Sequence, residues 1–160
     1  LPTRDYRKNQ AEMIGLLQRV TQADVKVDGD TVGEIGRGLM VLVAVHRDDT
    51  EKDIDRLAER LLGYRVFPDD EGRMNLSVRD IDGGLLLVPQ FTLTADTKKG
   101  TRASFTRGAA PVKASDYFDR LVAICRQELG SVATGVFGAN MQVTLTNDGP
   151  VTFWLDTRQK

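Results

Sequence analysis

Apolar positions fall into a few patterned blocks. Residues 13–20 are mostly apolar, Val25 and Val27 then alternate with polar neighbours, and Asp28-Gly29 follows, a dipeptide suited to tight hairpins. Val32 and Ile35 resume on the far side, so the pattern predicts two strands joined at Asp28-Gly29. The run 39–45 is continuously apolar, which predicts a strand covered on both faces and closing at His46. Thr50 with Asp53 resembles a capping pattern, and Ile54, Leu57, Ala58, Leu61 and Leu62 follow at helical spacing. Residues 67–72 are turn material, and 85–88 make a second inner strand. A second helix is predicted from Ser115, with Tyr117, Phe118, Leu121, Val122, Ile124, Cys125 and Leu129 on its apolar side and Gly130 ending it. Met141, Val143 and Leu145 alternate with polar residues, and Val151, Phe153 and Leu155 do so again beyond a turn at 147–150, which reads as two strands meeting at a compact bend. Strands outnumber helices and the helices fall between strand groups. The predicted class is α/β (α+β): a single domain with a mostly antiparallel, barrel-like sheet and two main helices.

Length and charge narrow this picture. A chain of 160 residues buries one core and is short for two ordinary domains. No apolar run approaches membrane-spanning length, so a soluble protein with no membrane partner is expected. The net charge of −1 offers no general attraction to polyphosphate; contact with RNA is expected to be local, and DNA is not an expected partner. Only the stretch 96–113 departs from that balance, carrying Lys98, Lys99, Arg102, Arg107 and Lys113 against the acid Asp96. Such a run is most often a solvated loop. Residues 1–12 are polar and precede Met13, which looks like a natural start. They read as a vector-derived remnant or a native extension, and the domain is placed at 13–158.

The residue inventory excludes several chemistries. The chain holds one histidine and one cysteine, so it has no disulfide of its own and no Cys/His zinc set, and the expected home is reducing and cytoplasmic. Cys125 falls on a buried helical stripe, and His46 reads as a surface or strand-end residue, so neither is a natural nucleophile or base. No phosphate-binding glycine loop is present. No metal and no cofactor is called for. A hydrolase built from this set works by positioning, backbone donors, hydroxyls or a group on the substrate. An aminoacyl ester suits that condition, being labile and flanked by a ribose hydroxyl.

Two segments are more specific. Pro89-Gln90-Phe91-Thr92-Leu93 follows the second inner strand, and its alternation places Gln90, Thr92 and Thr94 on one face of an extended strand, which is either a wet edge or a site. Asn147-Asp148-Gly149-Pro150-Val151-Thr152 is an ordinary turn by composition, with the isomer of its Gly-Pro bond left open. Together with Gln18-Arg19-Val20, Gly33-Glu34-Ile35-Gly36, Leu62-Gly63-Tyr64-Arg65, Gly72-Arg73-Met74-Asn75-Leu76, Ala95-Asp96-Thr97-Lys98-Lys99-Gly100 and Phe137-Gly138-Ala139-Asn140-Met141, these segments resemble the D-aminoacyl-tRNA deacylase family in order and spacing. The family's signatures are a Ser-Gln-Phe-Thr-Leu strand and an Asn-x-Gly-Pro-Val-Thr turn.

The resemblance implies hydrolysis of D-aminoacyl-tRNA, and of glycyl-tRNA mischarged on alanine tRNA, by a homodimer with its sites at the interface. It assigns Gly149 and Pro150 to chiral selection in the other subunit's pocket through a cis bond, and Arg19 to bracing that turn. Gln90, Phe91 and Thr92 would line the scissile ester, Phe137, Gly138, Ala139 and Met141 would receive the terminal adenosine, and Lys98, Lys99 and Arg102 would meet the tRNA backbone. Thr92 stands where a nucleophile has been sought, but backbone donors with substrate-assisted attack fit better. Pro89 departs from the usual serine, removing a hydroxyl and an N–H at the pocket's edge, and Ala103 stands where proline is common. Two alternatives stay open: a non-catalytic binder of the tRNA acceptor end, for which the basic loop would suffice, and a related L-alanyl-tRNA deacylase, suggested by Pro89.

Overall fold

A computed structural model describes residues 12–158, so the question of residues 1–11 lies outside the described part. Strand β1 (Ile14–Val27) turns through Asp28 and Gly29, both at positive φ, into β2 (Asp30–Ile35). Two consecutive positive-φ residues match the right-handed twist of the flanking strands, which is why Asp-Gly serves here. Strand β3 (Gly38–Ala44) runs antiparallel to the first half of β1, from Ile14 opposite Ala44 to Val20 opposite Gly38. Helix α1 (Glu51–Gly63) follows, with the Asp53 carboxylate accepting the Thr50 N–H at 2.8 Å. After a small hairpin of β4 (Phe67–Pro68) and β5 (Met74–Leu76), strand β6 (Gly84–Pro89) lies parallel to β3. Helix α2 (Pro111–Glu128) leads to β7 (Val132–Thr134), parallel to β6, and β8 (Gln142–Asp156) runs back antiparallel along the other edge of β1.

The sheet order is β2-β1-β3-β6-β7 with β8 on β1. Most of its pairing is antiparallel, as expected, and the sheet is mixed because the crossovers through α1 and α2 return the chain in parallel at β6 and β7. The ends come close together: a Cβ on Gly33 of β2 would lie 2.5 Å from the Thr134 carbonyl of β7, so the barrel-like form holds. The inner runs are apolar throughout because each face meets a different core. Leu39, Val41, Val43, Leu85 and Leu87 pack under the helices, whereas Met40, Leu86 and Val88 point into the barrel with Val20 and Val25.

Three local expectations are corrected. The second helix begins at Pro111, not Ser115. Proline is favoured at the first helical position, and this opening turn leaves Val112 in solvent, so no apolar period marks it. The last two strands are one strand, β8, both halves pairing with β1. Asn147 lies opposite Val20 and Thr152 opposite Gln18, so residues 148–151 bulge out across from Arg19. The Gln90-to-Thr94 segment is not extended: Phe91–Thr94 forms a 3₁₀ turn.

Candidate functional site

The strand β6 ends where its last residue, Pro89, has no N–H to give. Gln90 N–H still reaches the Val43 carbonyl at 2.7 Å, and then the chain coils. The Thr94 hydroxyl donates to the Phe91 carbonyl at 2.8 Å and is buried, closing the turn from beneath. Local hydroxyl-to-backbone bonding of this kind competes with a sheet ladder, which is the physical reason the alternating pattern does not give a strand. The turn leaves Phe91 65% exposed and Thr92 exposed, with the Gln90 amide hydrogen-bonded to the Thr92 hydroxyl.

This turn forms one wall of a cleft of about 420 Å³, lined by Pro89, Phe91, Phe105, Pro111, Phe137 and Gly138 among others. Gln90 lines a smaller hollow that shares Pro89, Phe91 and Phe137 with it. Ala139 closes a turn by donating its N–H to the Val136 carbonyl at 3.2 Å, and the Met141 sulfur accepts the Val136 N–H at 3.4 Å while packing on the barrel core. The segments assigned to the ester and to the adenosine therefore meet at one cleft.

The segment 95–110 forms the opposite wall and is stitched down at several points. Asp96 and Ser104 exchange backbone hydrogen bonds at 2.7 and 2.9 Å, and the Arg107 guanidinium donates to the Ala95 carbonyl at 2.9 Å. Gly108 pairs with His46 and lies against Thr94, where a Cβ would come within 2.9 Å of the threonine hydroxyl. Lys98, Lys99 and Arg102 are exposed and pair with no acid among the described residues, whereas Lys113 is held by the Arg47 carbonyl at 2.7 Å.

Arg19, Gly149 and Pro150 lie elsewhere. The Arg19 side chain, only 13% exposed, donates to the Asp148 carbonyl at 3.0 Å and to the Val66 carbonyl at 2.7 Å. Asn147 supports the bulge from the other side, accepting the Val151 N–H at 3.0 Å. Gly149 sits at φ 135° and the Gly149-Pro150 bond is cis. Both residues are exposed, and neither lines the cleft. On β1, Arg19 is four residues from Gly15, which faces the β3 residue level with Pro89, so the root of the bulge and that of the cleft stand about 13 Å apart along the sheet.

The remaining polar node escaped the sequence reading. His46 is buried, not at the surface. Its Nδ1 accepts the Asp48 N–H at 3.2 Å, leaving the proton on Nε2, which has no partner among the described residues. Burial lowers its pKa, so it stays neutral. Asp49 accepts the N–H groups of Glu12 and His46, each at 2.7 Å, and burial pushes its carboxyl up to about 7. Glu12, grouped with the polar leader in the sequence, is thereby fixed, and its carboxylate takes Arg158 at 2.6 Å. Nothing in their spacing announces these buried acids. Burial also pushes the Cys125 thiol up to about 12. Among the described residues no side chain pairs a nucleophile with a base, and no cluster could hold a metal ion. No described helix is long and apolar enough to cross a membrane.

Comparison with known proteins follows the same lines. The family model for D-Tyr-tRNA(Tyr) deacylase matches residues 16–156. A D-aminoacyl-tRNA deacylase of Alkalilimnicola ehrlichii is 61% identical over 91% of this chain and 97% of its own, and one of Escherichia coli is 55% identical over 89% and 99%. Among solved structures, a c-Myc DNA unwinding element binding protein superposes with a TM-score of 0.86 at 36% identity, covering 89% of this chain and 97% of that one. A probable eukaryotic D-amino acid tRNA deacylase, at 22% identity and TM-score 0.79, shares the fold.

Proposed function

Since this chain belongs to the D-Tyr-tRNA(Tyr) deacylase family, we propose that it hydrolyses the ester of D-aminoacyl-tRNA with two exposed stretches of backbone, one from each subunit of a homodimer. One observation carries this reading: the Gly149-Pro150 bulge and the Pro89/Phe91/Phe137 cleft are both open, yet they stand apart on a single chain. A second copy can bring the bulge of one to the cleft of the other. Strand β8 supports that assembly, because its outer edge has no partner among the described residues and exposes Trp154. Long uncovered edges of this kind are sites of pairing.

In the joined site the adenosine rests against Phe137, Gly138, Ala139 and Met141, and the ester lies along Gln90, Phe91 and Thr92. The first N–H groups of a 3₁₀ turn have no partner within it, so those of Phe91 and Thr92 face the carbonyl oxygen as charge develops there. Water adds to the carbonyl carbon and the ester bond breaks. The ribose oxygen leaves with a proton, and the neighbouring ribose hydroxyl assists. The partner's bulge receives the amino group and leaves no space for an L side chain, whereas glycine, having none, passes. Such a substrate places the work in the cytoplasm.

Time courses with matched D-, L- and glycyl-tRNA test the reading. Release of the D and glycyl groups with the L-forms left nearly intact is expected; equal rates on D and L would overturn it. An L-alanyl-tRNA arm addresses Pro89, since preference for that substrate would favour the L-alanine-specific relative.

A further inference from the structure

Phe105 has no part in the scheme above, yet its placement is costly. The ring is 48% exposed, on a segment fastened on both sides by the Asp96–Ser104 exchange and by the Gly108 N–H to the Phe105 carbonyl at 3.3 Å. Its centroid lies 5.4 Å from that of Phe91 at an interplanar angle of 56°, a tilted contact that steadies the ring while it lines the cleft and remains half exposed. An aromatic held half in water by this much local bonding is arranged for something to cover it.

The neighbouring charges indicate what. Lys98, Lys99 and Arg102 stand on the same segment, exposed and without an acidic partner among the described residues. A flat apolar face beside free cations suits an unpaired nucleotide, whose base stacks while its phosphate meets the charge. A peptide or lipid would leave one of those features unused. We propose that Phe105 is the stacking platform for the base immediately 5′ of the terminal adenosine, with the linking phosphate turned toward Lys98, Lys99 and Arg102. The inference rests on the cleft being the acceptor-end site, and it adds a second nucleotide subsite. Recognition of the substrate then extends past the ester and its own nucleoside.

Three D-phenylalanyl esters test it: that of adenosine, that of cytidylyl-adenosine, and that of the same dinucleotide with an abasic 5′ residue. For the unaltered protein the cytidine base should lower KM about tenfold, the scale of one base–aromatic stack. In Phe105→Ala that gain should shrink to under about threefold, and Phe105→Trp should restore it. An equal gain in the alanine variant, an equal KM for the abasic and intact dinucleotides, or conversion of Phe105→Ala to a monomer would each overturn the proposal. Failure of the unaltered protein to cleave any D-ester overturns instead the deacylase reading on which it rests.

Discussion

The 148–151 bulge and the Phe91–Thr94 turn both offer backbone to solvent, but they are held in different ways. The bulge interrupts a ladder that pairs with β1 on both flanks, and a nearly buried guanidinium ties it from behind, donating to the Asp148 carbonyl in the bulge and to the Val66 carbonyl outside it. The turn hangs from the end of β6 and is pinned by neighbours: Thr94 beneath it, and the 95–110 segment beside it. On the proposed reading the difference is functional: discrimination between mirror images needs a boundary that does not yield, which suits the braced bulge, and ester chemistry needs donors open to a large substrate, which suits the exposed turn.

Removing the brace should have the largest effect. Arg19→Ala loses the charged-donor hydrogen bond to the bulge, worth about 1.5–3 kcal/mol, along with its tie to Val66, so kcat/KM on D-aminoacyl-tRNA should fall by up to about 100-fold and the D-over-L ratio should narrow. If both parameters hold, Asn147 alone fixes the bulge. Next, replacing Lys98 and Lys99 together by alanine should raise KM roughly tenfold at moderate salt and reduce the slope of log KM against log salt by up to about 2, with the D-over-L ratio unchanged. An unaltered slope would remove phosphate from their surroundings. Thr92→Ala should cost less than about tenfold in kcat if, as proposed, backbone and substrate groups carry the reaction; a loss of several orders of magnitude would make the hydroxyl the nucleophile.

The smallest effect concerns the support of the turn. Asp49 holds its proton more tightly folded, at about 7, than at its ordinary 3.8, so its contribution is complete below about pH 4 and is lost as pH rises through 7. His46 acts in the opposite sense: its lowered pKa favours the fold above 6.5, and that contribution is lost on acidification. Melting curves at pH 5 and pH 8 should show Asp49→Asn losing part of the alkaline decline, a difference of a few degrees, roughly what about 1 kcal/mol gives. Parallel pH profiles for variant and parent would show that Asp49 does not titrate there.

What the sequence disclosed followed from local rules that tertiary structure did not override. Asp28-Gly29 makes its hairpin, 39–45 is covered on both faces, and Thr50 with Asp53 starts α1. Gln90 to Thr94 misled because alternation is also compatible with a turn closed by Thr94, and nothing in the pattern says which bond wins. Residues 147–152 are both turn-forming and bulge-forming, and only the pairing of both flanks with β1 decides between them. Of the candidate site, Pro89, Phe91, Phe137 and Gly138 of the cleft and Arg19 at the bulge were singled out through family likeness. Phe105 was hidden within a basic run, and Glu12, Asp49 and His46 were hidden because buried polar clusters carry no period.

Arg19 stands on a strand hydrogen-bonded along both edges, to β3 on one side and to β8 on the other. Its Cα therefore cannot drift without breaking paired backbone, and the arm reaching from it to the bulge has a fixed root. On the proposed reading, a protein so made does not loosen its choice of substrate by gradual slackening of the scaffold. Any broadening is written either into residues 148–151 or into the arginine that holds them, and so arrives by discrete substitution.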